Sequence, residues 1–146
     1  MRGAVWAFDV DGCVIDLLGG QSLRPLTLQV LTALSGRGCV TILWSAGGAD
    51  HARRKAQQLG ISEHVLACYD KGSRGQDGLW SVAHLPAHHQ PQVCVDDFPE
   101  ALPRHVRQIA VPPYTAPSQH DRGLAALLAE LTGPTDSVTA LPSNTY

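Results

Sequence analysis

The chain has 146 residues, enough for one domain whose hydrophobic core is stable without disulfides or structural metals. Its 44% hydrophobic and 16% charged residues are typical of a soluble globular protein. The net charge of −2 disfavours the kind of basic surface that binds nucleic acid or anionic membranes.

The cysteines and the lack of a long apolar stretch predict the compartment. Cys13, Cys39, Cys68 and Cys94 lie far apart without a C-x-x-C pair, and three of them fall in apolar runs. This pattern favours buried thiols over disulfides or a zinc site. No signal peptide is recognised and no segment has the length of a membrane span, so we expect a cytoplasmic protein without a membrane partner.

The first half of the chain alternates apolar runs with helical patterns. Residues 4–8 predict a buried strand that ends at two aspartates, and 13–24 leave room for a small hairpin. Pro25 begins a predicted helix over 25–38, in which Leu28, Leu31 and Leu34 recur at helical spacing. A second strand over 39–45 and a helix over 49–60 follow.

The second half continues the same alternation. A third strand is predicted over 64–70, followed by a loop over 71–91 that contains a helix near 77–85. A fourth strand over 92–99 precedes a short helix within 99–108 and a fifth strand over 109–113. The last helix is predicted over 120–133 with Asp121 as its cap, and 134–146 as a flexible tail.

Alternating strands and helices predict the fold class and the domain organisation. We expect an α/β protein with a doubly wound, Rossmann-like parallel sheet of about five strands and helices on both faces. Residues 1–133 then form a single domain. In such a sheet, ligands bind at the carboxyl ends of the strands.

Polar side chains stand at three of these strand ends. Asp9 and Asp11 follow the first strand, Ser45 ends the second, and Asp96 and Asp97 end the fourth. Four carboxylates that converge on one edge need a counter-charge. Oxygen ligands of this kind suit Mg²⁺, and no Cys/His spacing favours zinc instead. A bound Mg²⁺ beside a cationic side chain would make a phosphoryl site in which an aspartate acts as nucleophile.

Four segments between residues 4 and 99 resemble the motifs of the haloacid dehalogenase-like (HAD) phosphohydrolase superfamily, in the same order. "FDVDGCV" is similar to the first motif, D-x-D-x-[TV], and "ILWSAG" to the second. Lys71 stands where the third motif's lysine is expected, and "VCVDDFP" is similar to the acidic fourth motif. The resemblance implies a sheet of strand order 5-4-1-2-3. The short segments between the motifs leave no room for a cap domain, which implies the small capless type.

The resemblance also implies catalytic roles. Asp9 would be the nucleophile that forms an aspartyl-phosphate, and Asp11 the acid that protonates the leaving oxygen and then the base that activates water. Ser45 and Lys71 would bind the substrate phosphate. The implied activity is that of a magnesium-dependent phosphomonoester hydrolase.

The implied metal ligands are Asp9, Asp11 through its backbone carbonyl, Asp96 and Asp97, with Mg²⁺ as the cofactor. The partner is a phosphorylated substrate. A macromolecular substrate is compatible with the uncapped site, nucleic acid is not indicated by the charge, and a homo-oligomer stays open.

Several alternatives stay open at this point. Arg74 is the alternative to Lys71 as the cation that faces the phosphate. Without the other motifs, Ser45 would be interpreted as a turn or N-cap residue. Whether the loop 71–91 covers the site is also open. His84, His88 and His89 lack a fourth ligand at suitable spacing for a metal. The rival functions are a phosphoacceptor signalling domain, a non-catalytic HAD-fold binding module and a phosphotransferase.

Overall fold

The computed structural model describes residues 3–133, and the predicted tail 134–146 lies outside the described residues. Its five strands are β1 (Val5–Phe8), β2 (Val40–Ser45), β3 (Ala67–Asp70), β4 (Val93–Asp96) and β5 (Arg107–Ala110). The helices are α1 (Thr27–Gly36), α2 (Ala49–Gln58) and α3 (Ala125–Thr132). Short 3₁₀ turns cover Ser62–His64, Ala87–His89 and Pro99–Ala101. None of the described helices has the length and apolarity needed to cross a membrane.

All five strands are parallel and form one open sheet, so the α/β, Rossmann-like architecture is confirmed. The order across the sheet is β3-β2-β1-β4-β5, which counted from the other edge is 5-4-1-2-3. The central strand β1 pairs with β2 on one side and β4 on the other. This topology puts the carboxyl ends of β1, β2 and β4 next to each other.

The sheet has a different cover on each face, which corrects the prediction of helices on both faces. On one face, Trp6 and Phe8 of β1 share a buried cluster with residues of α1, α2 and α3. On the other face, Val5 and Ala7 share a smaller cluster with Val82 and Leu85, which belong to the β3–β4 connection. No α-helix of residues 3–133 contributes to that second cluster.

The helix predicted near 77–85 is wrong, because local side-chain-to-backbone hydrogen bonds shape that segment. The Asp77 carboxylate accepts from the Leu79 N–H at 3.0 Å, and the Ser81 hydroxyl accepts from the Ala83 N–H at 3.1 Å. The Gln90 side chain donates to the carbonyls of Val82 and Leu85, each at 2.8 Å. These bonds replace helical ones, as Asp and Ser side chains commonly do.

Asp121 does not cap the last helix, which begins at Ala125 rather than near 120. The Asp121 carboxylate instead accepts from the buried Arg24 side chain, whose Nε lies 2.7 Å away. A buried guanidinium needs a carboxylate partner more strongly than an exposed helix end needs a cap.

Two smaller corrections concern neighbouring segments. The short helix predicted within 99–108 is a 3₁₀ turn only, and β5 begins at Arg107 instead of Ile109. In α1, Leu28 is exposed while Val30, Leu31 and Leu34 are buried. None of the four cysteines forms a disulfide, and Cys13, Cys39 and Cys94 are buried as expected.

Candidate active site at the carboxyl edge of the sheet

Asp9 and Asp96 are brought together by the pairing of β1 with β4. Phe8 stands opposite Val95 in the register, and the Asp9 N–H donates to the Val95 carbonyl at 3.0 Å. The first aspartate after β1 is therefore held beside the last residue of β4. Both side chains are largely withdrawn from solvent, with 12% of Asp9 and 4% of Asp96 exposed.

Lys71 supplies the cation of this site. The pairing of Ser45 with Asp70 fixes the end of β3 against β2, and the Lys71 N–H then donates to the Ser45 carbonyl at 2.9 Å. From there the Lys71 ammonium lies 3.1 Å from Asp9 Oδ1 and 2.8 Å from Asp96 Oδ2.

Arg74, the alternative cation, lies over the rings of Trp80 and Phe98, at 5.2 and 5.6 Å from their centroids. The structure therefore brings Lys71, and not Arg74, to the aspartates. The loop 71–91 itself packs on the face of the sheet through Val82 and Leu85, and its Trp80 ring lies 5.6 Å from the Lys71 ammonium.

Asp97 completes a group of three carboxylates. One oxygen each of Asp9, Asp96 and Asp97 lies within 4.8 Å of the others. Gly12 allows the close approach of Asp97, because a Cβ at Gly12 would stand 2.6 Å from Asp97 Oδ2. Gly12 also has a φ of +82°, which a side chain would disfavour.

The donor set of this carboxylate cluster (Asp9, Asp96 and Asp97) fits Mg²⁺. All three groups offer oxygen atoms, and none of the seven histidines or four cysteines of the sequence belongs to it. Three carboxylates beside one ammonium leave a formal sum of two negative charges, which a divalent cation would neutralise.

The protonation of the cluster reflects this unbalanced charge. Burial raises the pKa of Asp9 to about 8, against the opposing effect of Lys71 and with a further rise from Asp96. Burial also raises the pKa of Asp96. Burial disfavours the charged form of Lys71, but Asp9 and Asp96 outweigh it and raise the Lys71 pKa. The ammonium is therefore the stable charge of the site, whereas Asp9 ionises readily only when further positive charge is present.

The Asp11 side chain does not belong to the carboxylate cluster. This side chain is 41% exposed, and its two oxygens lie 3.1 and 3.2 Å from His51 Nε2. His51 stands in the first turn of α2, directly after the β2 end that carries Ser45. The arrangement separates a buried carboxylate beside Lys71 from a carboxylate that faces solvent.

Ser45 is fully buried at the end of β2. Its hydroxyl oxygen accepts from the Gly47 N–H at 3.0 Å, which leaves its O–H able to donate to a ligand oxygen. It does not cap α2, whose N-cap residue is Gly48.

The histidines of the loop 71–91 lie apart from the carboxylate cluster. His84 Nε2 contacts the Asp70 carbonyl at 2.6 Å, and His89 contacts the Tyr69 hydroxyl. The rings of His88 and His89 lie 4.1 Å apart between their centroids. No group of metal ligands within residues 3–133 includes any of the three.

Two residues of the site were not identified from the sequence. His51 lies 40 positions from Asp11, and a single histidine in an amphipathic helix gives no signal by itself. The position of His51 just after a strand end of a parallel sheet is the feature that points to it. Gly12 stands directly after Asp11 in the sequence, but its contact with Asp97 depends on the fold.

Comparisons with known proteins add no relative. Neither the protein-family models nor the curated proteins gave a match to this chain. The side chains at the carboxyl edge of the sheet are therefore the features that bear on function.

Proposed function

We propose that the chain is a magnesium-dependent phosphomonoesterase of the HAD type that acts through an aspartyl-phosphate on Asp9. The observation that carries this proposal is the position of the Lys71 ammonium, within 3.1 Å of Asp9 Oδ1 and 2.8 Å of Asp96 Oδ2. A nucleophile, a fixed cation and an acidic metal site then share one buried edge. The exposed Asp11 beside it supplies the proton carrier.

The reaction proposed on these residues has two steps. The Asp9 carboxylate attacks phosphorus while the bond to the leaving oxygen breaks, and Asp11 gives its proton to that oxygen. Asp11, now ionised, takes a proton from water as the water attacks the aspartyl-phosphate. This second step releases phosphate and restores both aspartates.

Lys71 and Ser45 position the transferred group. The ammonium faces the phosphoryl oxygens and lowers the cost of their negative charge in a buried site. The Ser45 hydroxyl donates to one of those oxygens. Asp9, Asp96, Asp97 and the carbonyl of Asp11 would hold Mg²⁺, which when bound neutralises charge on the phosphoryl group and keeps Asp9 ionised.

The placement of Asp11 favours turnover over two of the rival functions, the phosphoacceptor domain and the non-catalytic binding module. A phosphoacceptor signalling domain keeps its phosphoryl group and has no need of a solvent-facing acid beside the nucleophile. A non-catalytic binding module needs neither group. The contact with His51 holds the Asp11 carboxylate in a defined orientation, two residues after Asp9.

Hydrolysis of p-nitrophenyl phosphate tests the proposal. We expect multiple turnovers per chain with Mg²⁺, none after chelation, and loss of activity in Asp9→Asn. Asp11→Asn should lose about 10²- to 10⁴-fold in kcat. The exposed Glu100→Gln variant serves as the control and should keep the wild-type rate.

The Asp11→Asn variant also reveals the intermediate. p-Nitrophenolate leaves without an acid, so this variant should release one equivalent rapidly and retain a phosphoryl group on Asp9, detectable by mass spectrometry. Equal turnover by wild type and Asp9→Asn would refute the mechanism. A single phosphorylation of the wild type without turnover would favour the phosphoacceptor function.

A further inference from the structure

A groove of about 460 Å³ begins at Asp11 and runs along α2. Residues 17–20 form one of its walls, and the other wall is the face of α2 that carries His51, Arg54, Lys55 and Gln58. We call it the Asp11 groove. In the proposed reaction Asp11 gives its proton to the leaving oxygen, so the remainder of the leaving group departs from the Asp11 side of the phosphate.

The α2 wall has a regular spacing of polar groups. His51, Arg54, Lys55 and Gln58 are related by three, four and seven positions, which places them along one face of a helix. His51 contacts Asp11 at the near end. Arg54 and Lys55 follow one turn later, and Gln58 lies about 10 Å from His51 along the helix axis.

Two cations of this wall have no acidic partner within the described chain. Neither Arg54 nor Lys55 has a carboxylate within ion-pair distance among residues 3–133, and Lys55 contacts only the neutral Gln58 side chain at 3.4 Å. Arg53, the adjacent arginine, pairs with Asp50 at 2.6 Å instead. A protein of net charge −2 therefore holds two unpaired positive charges beside its proposed proton donor.

The opposite wall is fixed by a buried carboxylate. Asp16 is 1% exposed and accepts from the N–H groups of Gly19, Gly20, Gln21 and Ser22 at 2.8 to 3.2 Å. The Leu17 and Leu18 N–H groups donate to the carbonyls of residues 114 and 115. This anchored backbone keeps the Leu17 and Leu18 side chains in solvent, 48% and 74% exposed.

A hydrogen bond from the α2 wall to the residue after the other wall closes the far end. The Gln58 amide donates to the Gln21 side-chain oxygen at 2.6 Å. The Asp11 groove thus has an acid at one end, apolar side chains along one wall, and cations along the other before a closed end. Its chemistry matches an elongated molecule with an apolar middle and an anionic terminus.

Resting on the proposed function, we infer that the Asp11 groove binds the leaving group, and that the preferred substrates are phosphomonoesters whose alcohol carries a second anionic group. The apolar segment of the alcohol lies along Leu17 and Leu18. The second anion, a phosphate or a carboxylate, pairs with Arg54 and Lys55.

A substrate series of constant carbon length tests this inference. Hexyl phosphate, 6-phosphooxyhexanoate and hexane-1,6-diyl bisphosphate differ only in the terminal group. With Mg²⁺ present, we expect kcat/KM to be about ten-fold higher for an anionic terminus, after correction for the two equivalent phosphates of the bisphosphate. The preference should shrink as salt is added, because exposed ion pairs are screened. Equal kcat/KM for all three substrates would overturn the inference.

Variants on α2 locate the preference. The ratio of kcat/KM for anionic over neutral termini should fall toward one in the Arg54→Gln, Lys55→Gln double variant. The matched control is Arg53→Gln, which removes a neighbouring positive charge that is already paired with Asp50 and should keep the wild-type ratio. An unchanged ratio in the double variant, or an equal fall in the control, would contradict the assignment.

A binding measurement separates this inference from the proposed function. Hexane-1,6-diyl bisphosphonate and hexylphosphonate cannot be hydrolysed, and their affinities for the Asp9→Asn protein are measured by calorimetry. Tighter binding of the bisphosphonate that is lost in the double variant supports the groove even if no substrate is turned over, an outcome that would refute only the phosphatase function. Equal affinities would overturn the groove assignment while leaving hydrolysis intact.

Discussion

Replacing Asp9 with asparagine should stabilise the metal-free protein. Burial raises the pKa of Asp9 from 3.8 to about 8, so the folded protein binds this proton more tightly than the unfolded chain does. Between pH 3.8 and about pH 8, the free energy of unfolding therefore falls as pH rises, by about 1.4 kcal/mol per pH unit at most. At pH 7, about three units above the unfolded value, the cost approaches roughly 4 kcal/mol. Asparagine resembles the neutral carboxyl in shape and removes this cost.

Urea unfolding in the presence of a chelator measures the effect. At pH 7 we expect Asp9→Asn to raise the free energy of unfolding by up to roughly 4 kcal/mol, or the melting temperature by about 10 °C. At pH 5 the gain should shrink to roughly 1–2 kcal/mol, because this pH is only about one unit above the unfolded pKa of Asp9. The exposed Glu100→Gln variant is the control and should change stability by less than about 0.5 kcal/mol. An Asp9→Asn protein that is no more stable than wild type at pH 7, or whose gain is the same at both pH values, would refute this account of the buried carboxylates.

Three further predictions concern neighbouring residues. Gly12→Ala should weaken Mg²⁺ binding by at least about ten-fold, because the new Cβ would stand 2.6 Å from Asp97 Oδ2. The rise in melting temperature with added Mg²⁺ measures this binding, and a rise equal to that of the wild type would contradict the prediction. His51→Ala should lower kcat on alkyl phosphates by about ten-fold with little change in KM. His51→Gln can still donate to Asp11 and should restore much of the lost kcat. An equal loss of kcat in both variants would argue against positioning through that contact. Asp121→Asn should reduce the free energy of unfolding by about 2–4 kcal/mol at neutral pH, because Arg24 is buried. Burial opposes ionisation of Asp121, but Arg24 lowers the Asp121 pKa below 3.8. The wild type should therefore be more stable than Asp121→Asn above pH 4, and this difference should disappear as pH falls further. A stability difference that is independent of pH would contradict this prediction.

The sheet and the residues at its edge could be predicted from the sequence because they depend on local patterns. Short apolar runs that end in Asp9, Ser45 or Asp96 mark strands of a parallel sheet, and parallel strands present their carboxyl ends on one edge. The sequence points to Lys71 only through the resemblance, with Arg74 as the alternative; in the structure Lys71 reaches this edge because it follows β3 directly. Arg74 lies three residues later, beyond the reach of the strand pairing.

The missed features depend on contacts between distant segments. Asp121 pairs with Arg24 across 97 positions, and His51 meets Asp11 across 40, so neither contact leaves a periodic signal in the sequence. The helix predicted near 77–85 failed for a different reason. Its Asp and Ser residues bond to the backbone nearby, and this competition with helical bonds depends on rotamers that composition does not reveal.

One face of the sheet is covered by no α-helix of residues 3–133, and Lys71 belongs to the irregular segment that covers it. Lys71 begins the segment whose Val82 and Leu85 cover that face, and its ammonium lies 5.5 and 5.6 Å from the ring centroids of Trp44 and Trp80. Local opening of this segment would expose one side of β2 and remove the charge that Asp9 and Asp96 face, without unfolding any helix. A phosphate or phosphonate bound to Lys71 should therefore slow amide hydrogen exchange as far away as residues 82–90, whereas the amides of α1 and α3 should exchange as before.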